Sequence, residues 1–140
     1  MSSDPLTVLV YSDNARTREQ VRLGLGRKPA TDLPALEFVD VATAWAVRKQ
    51  LRAGGVDLAI LDGEAAPAGG LGICRSVKDE IFQAPPLLVL LGRPQDSWLA
   101  AWSRADGVTS HPIDPFALTE VATRLLRARL TPTSTELVHR

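Results

Sequence analysis

The stretch VDLAILD, at Val56–Asp62, is apolar except for Asp57 near its start and Asp62 at its end. Gly54–Gly55 precedes it, and a loop rich in Gly, Ala and Pro follows at 63–70. An apolar run of this length between turn residues predicts a strand over Val56–Leu61 that is buried on both faces, as in a parallel sheet. Asp62 would then lie at the carboxyl end of that strand, where ligands bind in open parallel sheets.

Runs of the same kind recur along the chain and alternate with segments of helical periodicity. The predicted strands cover Leu6–Tyr11, Leu36–Val41, Val56–Leu61, Leu87–Leu91 and Gly107–Ser110. The predicted helices cover Arg16–Arg27, Ala44–Ala53, Leu71–Phe82, Ser97–Ala105 and Pro115–Leu130. Such alternation gives right-handed crossovers onto a parallel sheet. We therefore expect an α/β fold, a three-layer sandwich around a five-stranded parallel sheet of order 2-1-3-4-5.

The composition is that of one globular domain, since 45% of the 140 residues are apolar and 23% are charged. We expect this domain over residues 1–130 and a mobile tail over 131–140, where turn residues show no period. Sixteen basic and sixteen acidic side chains balance, so neither nucleic acid nor anionic lipid is expected as a partner. One cysteine excludes an internal disulfide. The lack of a leader or membrane-length apolar run predicts a cytoplasmic protein without membrane insertion.

Polar residues follow the first and third predicted strands. Ser12 and Asp13 come after the first, and Asp62 and Glu64 come after the third. Two converging carboxylates, Asp13 and Asp62, can hold a hard divalent cation such as Mg²⁺. The alternative is that each acid only caps the next turn or helix, since turns favour Asp. If these acids crowd together, repulsion between like charges would make Asp62 contribute little to stability.

Several motifs, taken in order, carry a family resemblance. They are VLVYSDNARTR at Val8–Arg18, VDLAILD at Val56–Asp62, Gly70, and ADGVTSHPID at Ala105–Asp114, which includes Pro112. Together they resemble the receiver domain of two-component response regulators, the CheY-like family, over Leu6–Leu130. The resemblance implies a flavodoxin-like fold and a role in bacterial two-component signalling. It places Asp62 at the position of the phosphoacceptor.

At four positions the sequence departs from the pattern of that family. Receivers carry a second acid where Ser12 stands, and a Thr or Ser hydroxyl where Leu91 stands. They carry Lys where His111 stands, and an aromatic switch residue where Val108 stands. The resemblance thus implies an atypical or pseudo-receiver, in which phosphorylation of Asp62 is lost and Mg²⁺ binds weakly if at all. No other cofactor and no catalytic residue is predicted, and we expect the protein not to be an enzyme.

These observations predict a stand-alone module for protein–protein interaction, either a signalling adaptor or an accessory subunit of a larger assembly. The alternative is a functional receiver that a histidine kinase phosphorylates on Asp62 with Mg²⁺. A third hypothesis is a flavodoxin-like protein that binds flavin or nucleotide, because Ser12–Thr17 faintly resembles a flavin-phosphate loop. That loop lacks the glycine that a close approach of the backbone to phosphate requires.

Two tryptophans, Trp98 and Trp102, lie four residues apart on the fourth predicted helix. The register predicts that Trp98, with Ala101 and Ala105, faces the core and that Trp102 faces solvent. Exposed Trp is enriched at protein interfaces. In receivers the fourth helix, fifth strand and fifth helix form the docking surface. We therefore expect Trp102, with Trp98 and Val108 beside it, to contact a protein partner there, the alternative being that both indole rings are core.

Overall fold

Five parallel strands form the centre of the computed structural model, which describes residues 4–65 and 69–131. The strands are β1 (Leu6–Tyr11), β2 (Leu36–Val41), β3 (Leu58–Asp62), β4 (Leu87–Leu91) and β5 (Gly107–Ser110). The helices are α1 (Ala15–Leu25), α2 (Ala44–Ala53), α3 (Gly70–Glu80), α4 (Trp98–Ser103) and α5 (Pro115–Leu130). The tail expected at 131–140 lies outside the described residues except for Thr131.

The strand order is β2-β1-β3-β4-β5, and every neighbouring pair is parallel. Leu61 of β3 is paired with Tyr11 on one side and with Val89 on the other. The three-layer α/β sandwich, its five strands and their order are therefore confirmed. Because all strands run the same way, their carboxyl ends, including Asp62, lie along one edge of the sheet.

Alternating side chains of the strands fill two apolar cores, one on each face of the sheet. The core on one face packs against α1 and α5 and includes Val8, Ile60, Val21 and Leu118. The core on the other face packs against α2 and α3 and includes Leu9, Leu61, Val47 and Ile73. Each fully buried aliphatic side chain stabilises the fold by about 1.5–3 kcal/mol. The continuous apolar runs of the sequence therefore decide which segments enter the sheet.

Polar side chains cap three of the helices. The side chains of Asn14, Thr43 and Asp114 accept hydrogen bonds from backbone N–H groups in the first turns of α1, α2 and α5. A cap of this kind is worth about 1 kcal/mol. Within the ranges that the structure describes, no helix is long and apolar enough to span a lipid bilayer.

The fourth helix differs most from its prediction. The sequence predicts Ser97–Ala105 with Asp96 as the cap, whereas α4 spans only Trp98–Ser103. The predicted cap is wrong, because Asp96 lies in a preceding 3-10 turn and pairs with Arg93. The N-cap residue of α4 makes no side-chain hydrogen bond, and Arg104 at its end has a left-handed φ of 62°. Both features confine α4 to a short element.

The start of α3 almost touches the end of β3. A Cβ atom on Gly70 would lie 2.8 Å from the carbonyl carbon of Leu61 and 2.9 Å from that of Asp62. Only a glycine permits this approach, because any side chain would collide with the backbone of the strand. The first turn of α3 thereby fixes the position of Asp62 at the edge of the sheet.

Candidate functional site

Asp62 is the buried acid at the centre of the strand ends, with only 3% of its surface exposed. The hydroxyl of Ser12 donates to its Oδ2 at 2.8 Å. The backbone N–H of Glu64 donates to its Oδ1 at 2.9 Å, and Nε2 of His111 lies 2.9 Å from the same oxygen. Both carboxylate oxygens are therefore engaged by the protein itself. We call Ser12, Asp62 and His111 the strand-end site.

Backbone hydrogen bonds beyond the strands place the other two members of this site. The N–H of Ser12 donates to the carbonyl of Val41 at 3.2 Å, which continues the pairing of β1 with β2. The N–H of His111 donates to the carbonyl of Leu91 at 2.8 Å, which continues the pairing of β5 with β4. The sheet thus holds both side chains rigidly at the edge where β3 ends.

Ser12 is completely buried, and its hydroxyl has no spare proton. Its oxygen accepts from the N–H of Asn14 at 3.0 Å while its single proton is donated to Asp62. The guanidinium of Arg18 donates to the carbonyl of Ser12 and brings a positive charge against this residue. Sequence reasoning missed Asn14 and Arg18 because their roles depend on the turn after β1.

The other two acids of the predicted pocket, Asp13 and Glu64, are exposed. Asp13 acts electrostatically on Tyr11, whose pKa is raised first by burial and then by the charges of Asp13 and Asp62. The carboxylate of Glu64 lies across Gly92, where any Cβ atom would collide with it. Among the described residues, no three His, Cys, Asp or Glu side chains are grouped closely enough to hold a metal ion.

The two apolar replacements in the predicted phosphate and switch positions belong to the core. Leu91 is 2% exposed and lies in the apolar cluster on the α2–α3 face of the sheet. Val108 is half-buried and packs against the same cluster. The side chain of Val108 thus contributes partly to the interior, and its expected contact with a protein partner stays a prediction.

The predicted orientation of α4 is wrong for Trp98 and correct for Trp102. Trp98 is 69% exposed and Trp102 is 47% exposed. Ala101 is exposed as well, while Ala105 packs partly against the core. The only residue that α4 buries is Ser103. The helix packs against the rest of the protein through a small residue, Ser103, so both indole rings remain exposed to solvent.

Ser103 joins α4 to α3 through the chain's single cysteine. The thiol of Cys74 in α3 donates to the carbonyl of Ser103 at 3.3 Å, and both residues are fully buried. Burial raises the pKa of the Cys74 thiol to about 11. The cysteine is thus a buried thiol that packs the two helices together, in the kind of environment that keeps a Cys unreactive.

Trp102 lies on the α3 side of its helix. The guanidinium carbon of Arg75 in α3 stands 5.0 Å from the centre of the indole ring, and the same side chain donates to the Trp102 carbonyl at 2.7 Å. This position differs from the predicted face of α4, β5 and α5. Sequence reasoning missed Arg75, because nothing in the local spacing links it to α4. We call Arg75, Trp98 and Trp102 the Trp face.

No model of a protein family matches the chain. Over 127 residues the chain is 54% identical to an uncharacterized response regulatory protein of Mycobacterium tuberculosis, in strains CDC 1551 and H37Rv. That match covers 91% of this chain and 96% of the relative.

Solved receiver structures share the fold at low sequence identity. The chemotaxis response regulator CheY4 of Vibrio cholerae is similar with a TM-score of 0.72 at 18% identity, over 87% of this chain and 99% of that one. The signal receiver domain of the response regulator NarL of Mycobacterium tuberculosis is similar with a TM-score of 0.71 at 18% identity, over 89% and 98%. The ordered motifs, the strand order and a relative that is 54% identical agree. The chain therefore belongs to the response regulator family and has the fold of its receiver domain.

Proposed function

We propose that this receiver domain is a protein-binding module whose output does not use phosphorylation of Asp62. In this proposal it is not an enzyme, and it acts by contact as an adaptor or accessory subunit. Its partner is a protein that docks on the Trp face. The engagement of both oxygens of Asp62 carries the first half of the proposal, and the exposure of Trp98 and Trp102 carries the second.

Asp62 is a poor nucleophile in this arrangement. Attack on a phosphorus atom needs an accessible carboxylate oxygen in line with the bond that breaks. The bond from Ser12 draws electron density from Oδ2, and the contacts of Glu64 and His111 occupy both lone pairs of Oδ1. Hydrogen bonds to charged groups are worth about 1.5–3 kcal/mol each. These bonds stabilise the ground state of Asp62 and lower the nucleophilicity of its carboxylate.

The residues present do not fit the divalent cation that receivers use. Mg²⁺ needs near-octahedral oxygen ligands and gives up its waters reluctantly. Here the buried Asp62 is already paired, Asp13 is exposed, and Arg18 sets a positive charge against Ser12. The hydroxyl of Ser12 replaces an acid and supplies no negative charge. The proposed function therefore involves no metal ion at this site.

The experiment that tests the first half is exposure of the chain to Mg²⁺ and acetyl phosphate, followed by intact mass spectrometry. We expect no phosphoryl adduct under conditions in which a receiver with the full set of site groups is modified. Asp62→Asn serves as the matched control, since it removes the acceptor and keeps the size of the side chain. A stoichiometric adduct on the wild type that disappears in Asp62→Asn would support the alternative, a phosphorylated receiver.

The Trp face supports docking by the chemistry of its side chains. An indole buried at an interface combines a large apolar area with few rotatable bonds, and truncation of such anchors typically costs about 2 kcal/mol or more of binding free energy. Arg75 holds Trp102 in place through the ring contact and the carbonyl bond. The anchor is therefore ordered before a partner arrives, which lowers the entropy cost of binding.

A further inference from the structure

A second exposed apolar surface lies on the opposite layer of the sandwich, between α1 and α5. Two adjoining depressions of about 510 and 230 Å³ share Gly24 and Pro115. Leu23 lines the smaller depression and is 76% exposed, and Phe116 lines the larger one and is 87% exposed. Single exposed apolar residues are ordinary, but here two large ones border adjoining depressions, one each. We call this surface the α1–α5 groove.

The groove is formed before anything binds to it. The two helices lie close together at Gly24, where a Cβ atom would be at ordinary van der Waals distance, 3.5 Å from Leu118 and 3.7 Å from Pro115. The hydroxyl of Thr119 donates to the carbonyl of Gly24 at 3.3 Å and fixes the two helices at this point. A surface held in this way loses little entropy when it is covered.

The charges beside the groove are of opposite sign. Lys28 and Glu120 both line the larger depression. In the part of the chain that the structure describes, neither forms an ion pair, and the Lys28 ammonium donates only to the carbonyl of Leu33 at 2.8 Å. A two-fold axis that ran between these two side chains would bring Lys28 of one copy opposite Glu120 of the other. The surface is thus complementary to itself, as an isologous interface requires.

The exposed surface of α2 has a different character. Its depression is lined by Trp45, Ala53 and three cations, Arg48, Lys49 and Arg52, with no acid among the lining residues. Two copies meeting there would place like charges together, which is destabilising. Of the two surfaces, only the α1–α5 groove suits a second copy of this chain, and the zero net charge of the chain adds no overall repulsion.

We propose that the protein forms a two-fold homodimer through the α1–α5 groove, in which Phe116 of each copy fills the groove of the other. Lys28 and Glu120 of facing copies pair at the rim of this interface. The proposal is independent of the Trp face, because α1 and α5 cover one face of the sheet while α3 lies on the other.

Sedimentation velocity or light scattering on the full chain at about 100 µM, well above the micromolar dissociation constants of modest interfaces, tests this proposal. We expect twice the mass of the 15.1 kDa chain. Phe116→Ala should weaken dimerisation at least tenfold. Phe82→Ala is the matched control, since Phe82 is equally exposed, at 89%, and lies at the end of α3. It should leave the dimer unchanged.

Charge-reversal substitutions test whether the dimer forms through the α1–α5 groove or through another surface. Lys28→Glu alone and Glu120→Lys alone should each weaken the dimer, because each places two like charges opposite one another. The double variant should restore it. A wild type that stays monomeric at about 100 µM would overturn the proposal. A dimer that persists in Phe116→Ala and in both single charge reversals would overturn it as well, since the contact would then lie elsewhere.

Discussion

The strand-end site and the Trp face lie within one domain but differ in how far their side chains are buried and bonded. At the strand-end site, Asp62 is buried and each of its oxygens has a partner from the same chain. On the Trp face, Trp98 and Trp102 are exposed apolar rings, and Arg75 stands over the ring of Trp102. One region has its interactions complete, whereas the other has a large apolar surface that binding could bury.

This difference suggests where each kind of function can reside. A polar group whose bonds are all made inside the fold contributes to stability and must break those bonds to react. An exposed ring gains free energy only when something covers it. The strand-end site should therefore respond to substitution through the free energy of unfolding, and the Trp face through binding.

The largest effect should follow removal of the acid at the centre of the strand-end site. Asp62→Ala leaves the hydroxyl of Ser12, the N–H of Glu64 and the ring of His111 without their acceptor, so we expect a loss of about 2–4 kcal/mol in the free energy of unfolding. Urea denaturation measures it. Asp13→Ala, at an exposed acid, should change stability by less than about 0.5 kcal/mol. If both substitutions lowered the free energy of unfolding equally, the hydrogen bonds of the buried Asp62 would not be the source of its stabilisation.

This prediction reverses the expectation from the sequence that Asp62 adds little to stability. The sequence shows three acids near one strand end, and repulsion is the natural inference. The structure leaves Asp13 and Glu64 exposed and surrounds Asp62 with donors. Asp62→Asn should cost less than Asp62→Ala, because the amide keeps an oxygen acceptor for two of the three partners.

A smaller effect should appear beneath the Trp face at alkaline pH. Burial raises the pKa of Cys74 from its usual 9.0 to about 11, so the folded state disfavours the thiolate. The stabilisation is present in full below pH 9 and is lost as the pH rises through 11. It amounts to at most about 2.7 kcal/mol. Unfolding measured from pH 8 to 11 should therefore fall more steeply for the wild type than for Cys74→Ala.

Parallel pH profiles of these two proteins would contradict that account. Tyr11, whose pKa is also raised by burial and by Asp13 and Asp62, loses its own contribution in the same direction. Because Tyr11 is present in both proteins, its contribution cancels in the comparison. The remaining difference reports the buried thiol that joins α3 to α4.

The smallest effect on stability should come from the Trp face itself. Trp102→Ala removes the contact with Arg75, and cation–π contacts at exposed sites contribute about 0.5–1 kcal/mol. Its unfolding free energy should fall by no more than that. Capture of a partner from the native cell by the tagged chain should fall at least tenfold. Trp45→Ala on α2 is the control, since that indole is also exposed and also has a cation over its ring, Lys49 at 4.9 Å. A severe loss of stability, or equal capture by both variants, would refute the docking role.

The sequence alone predicts the sheet well, because continuous apolar runs of five or six residues such as Leu87–Leu91 have few other places in a domain. It fails at α4, where six residues give less than two turns and the direction of the apolar face is poorly defined. That weak period predicts Trp98 in the core, whereas the ring is exposed. The contact of Arg75 with Trp102 joins residues distant in sequence, so no local pattern reports it.

The strand-end site is less predictable from the sequence than the sheet and more predictable than α4. Ser12, Asp62 and His111 are recognisable from the order of motifs, since each follows a predicted strand. Their mutual bonding depends on the register of β1, β3 and β5 and on the rotamers that the buried edge permits. The identities of the groups can therefore be predicted from the sequence, whereas the hydrogen bonds to both carboxylate oxygens of Asp62 are visible only in the three-dimensional structure.

Because the α1–α5 groove and the Trp face lie on opposite layers, dimerisation would change the number of partner-binding faces that one particle carries. A dimer joined through the groove would carry two Trp faces directed away from each other, so the particle would be divalent. A partner assembly with two copies of the docking sequence would then be held by avidity, with the second contact made at a high effective concentration. Separating the copies would leave the affinity of each face unchanged and lower the strength of the whole attachment.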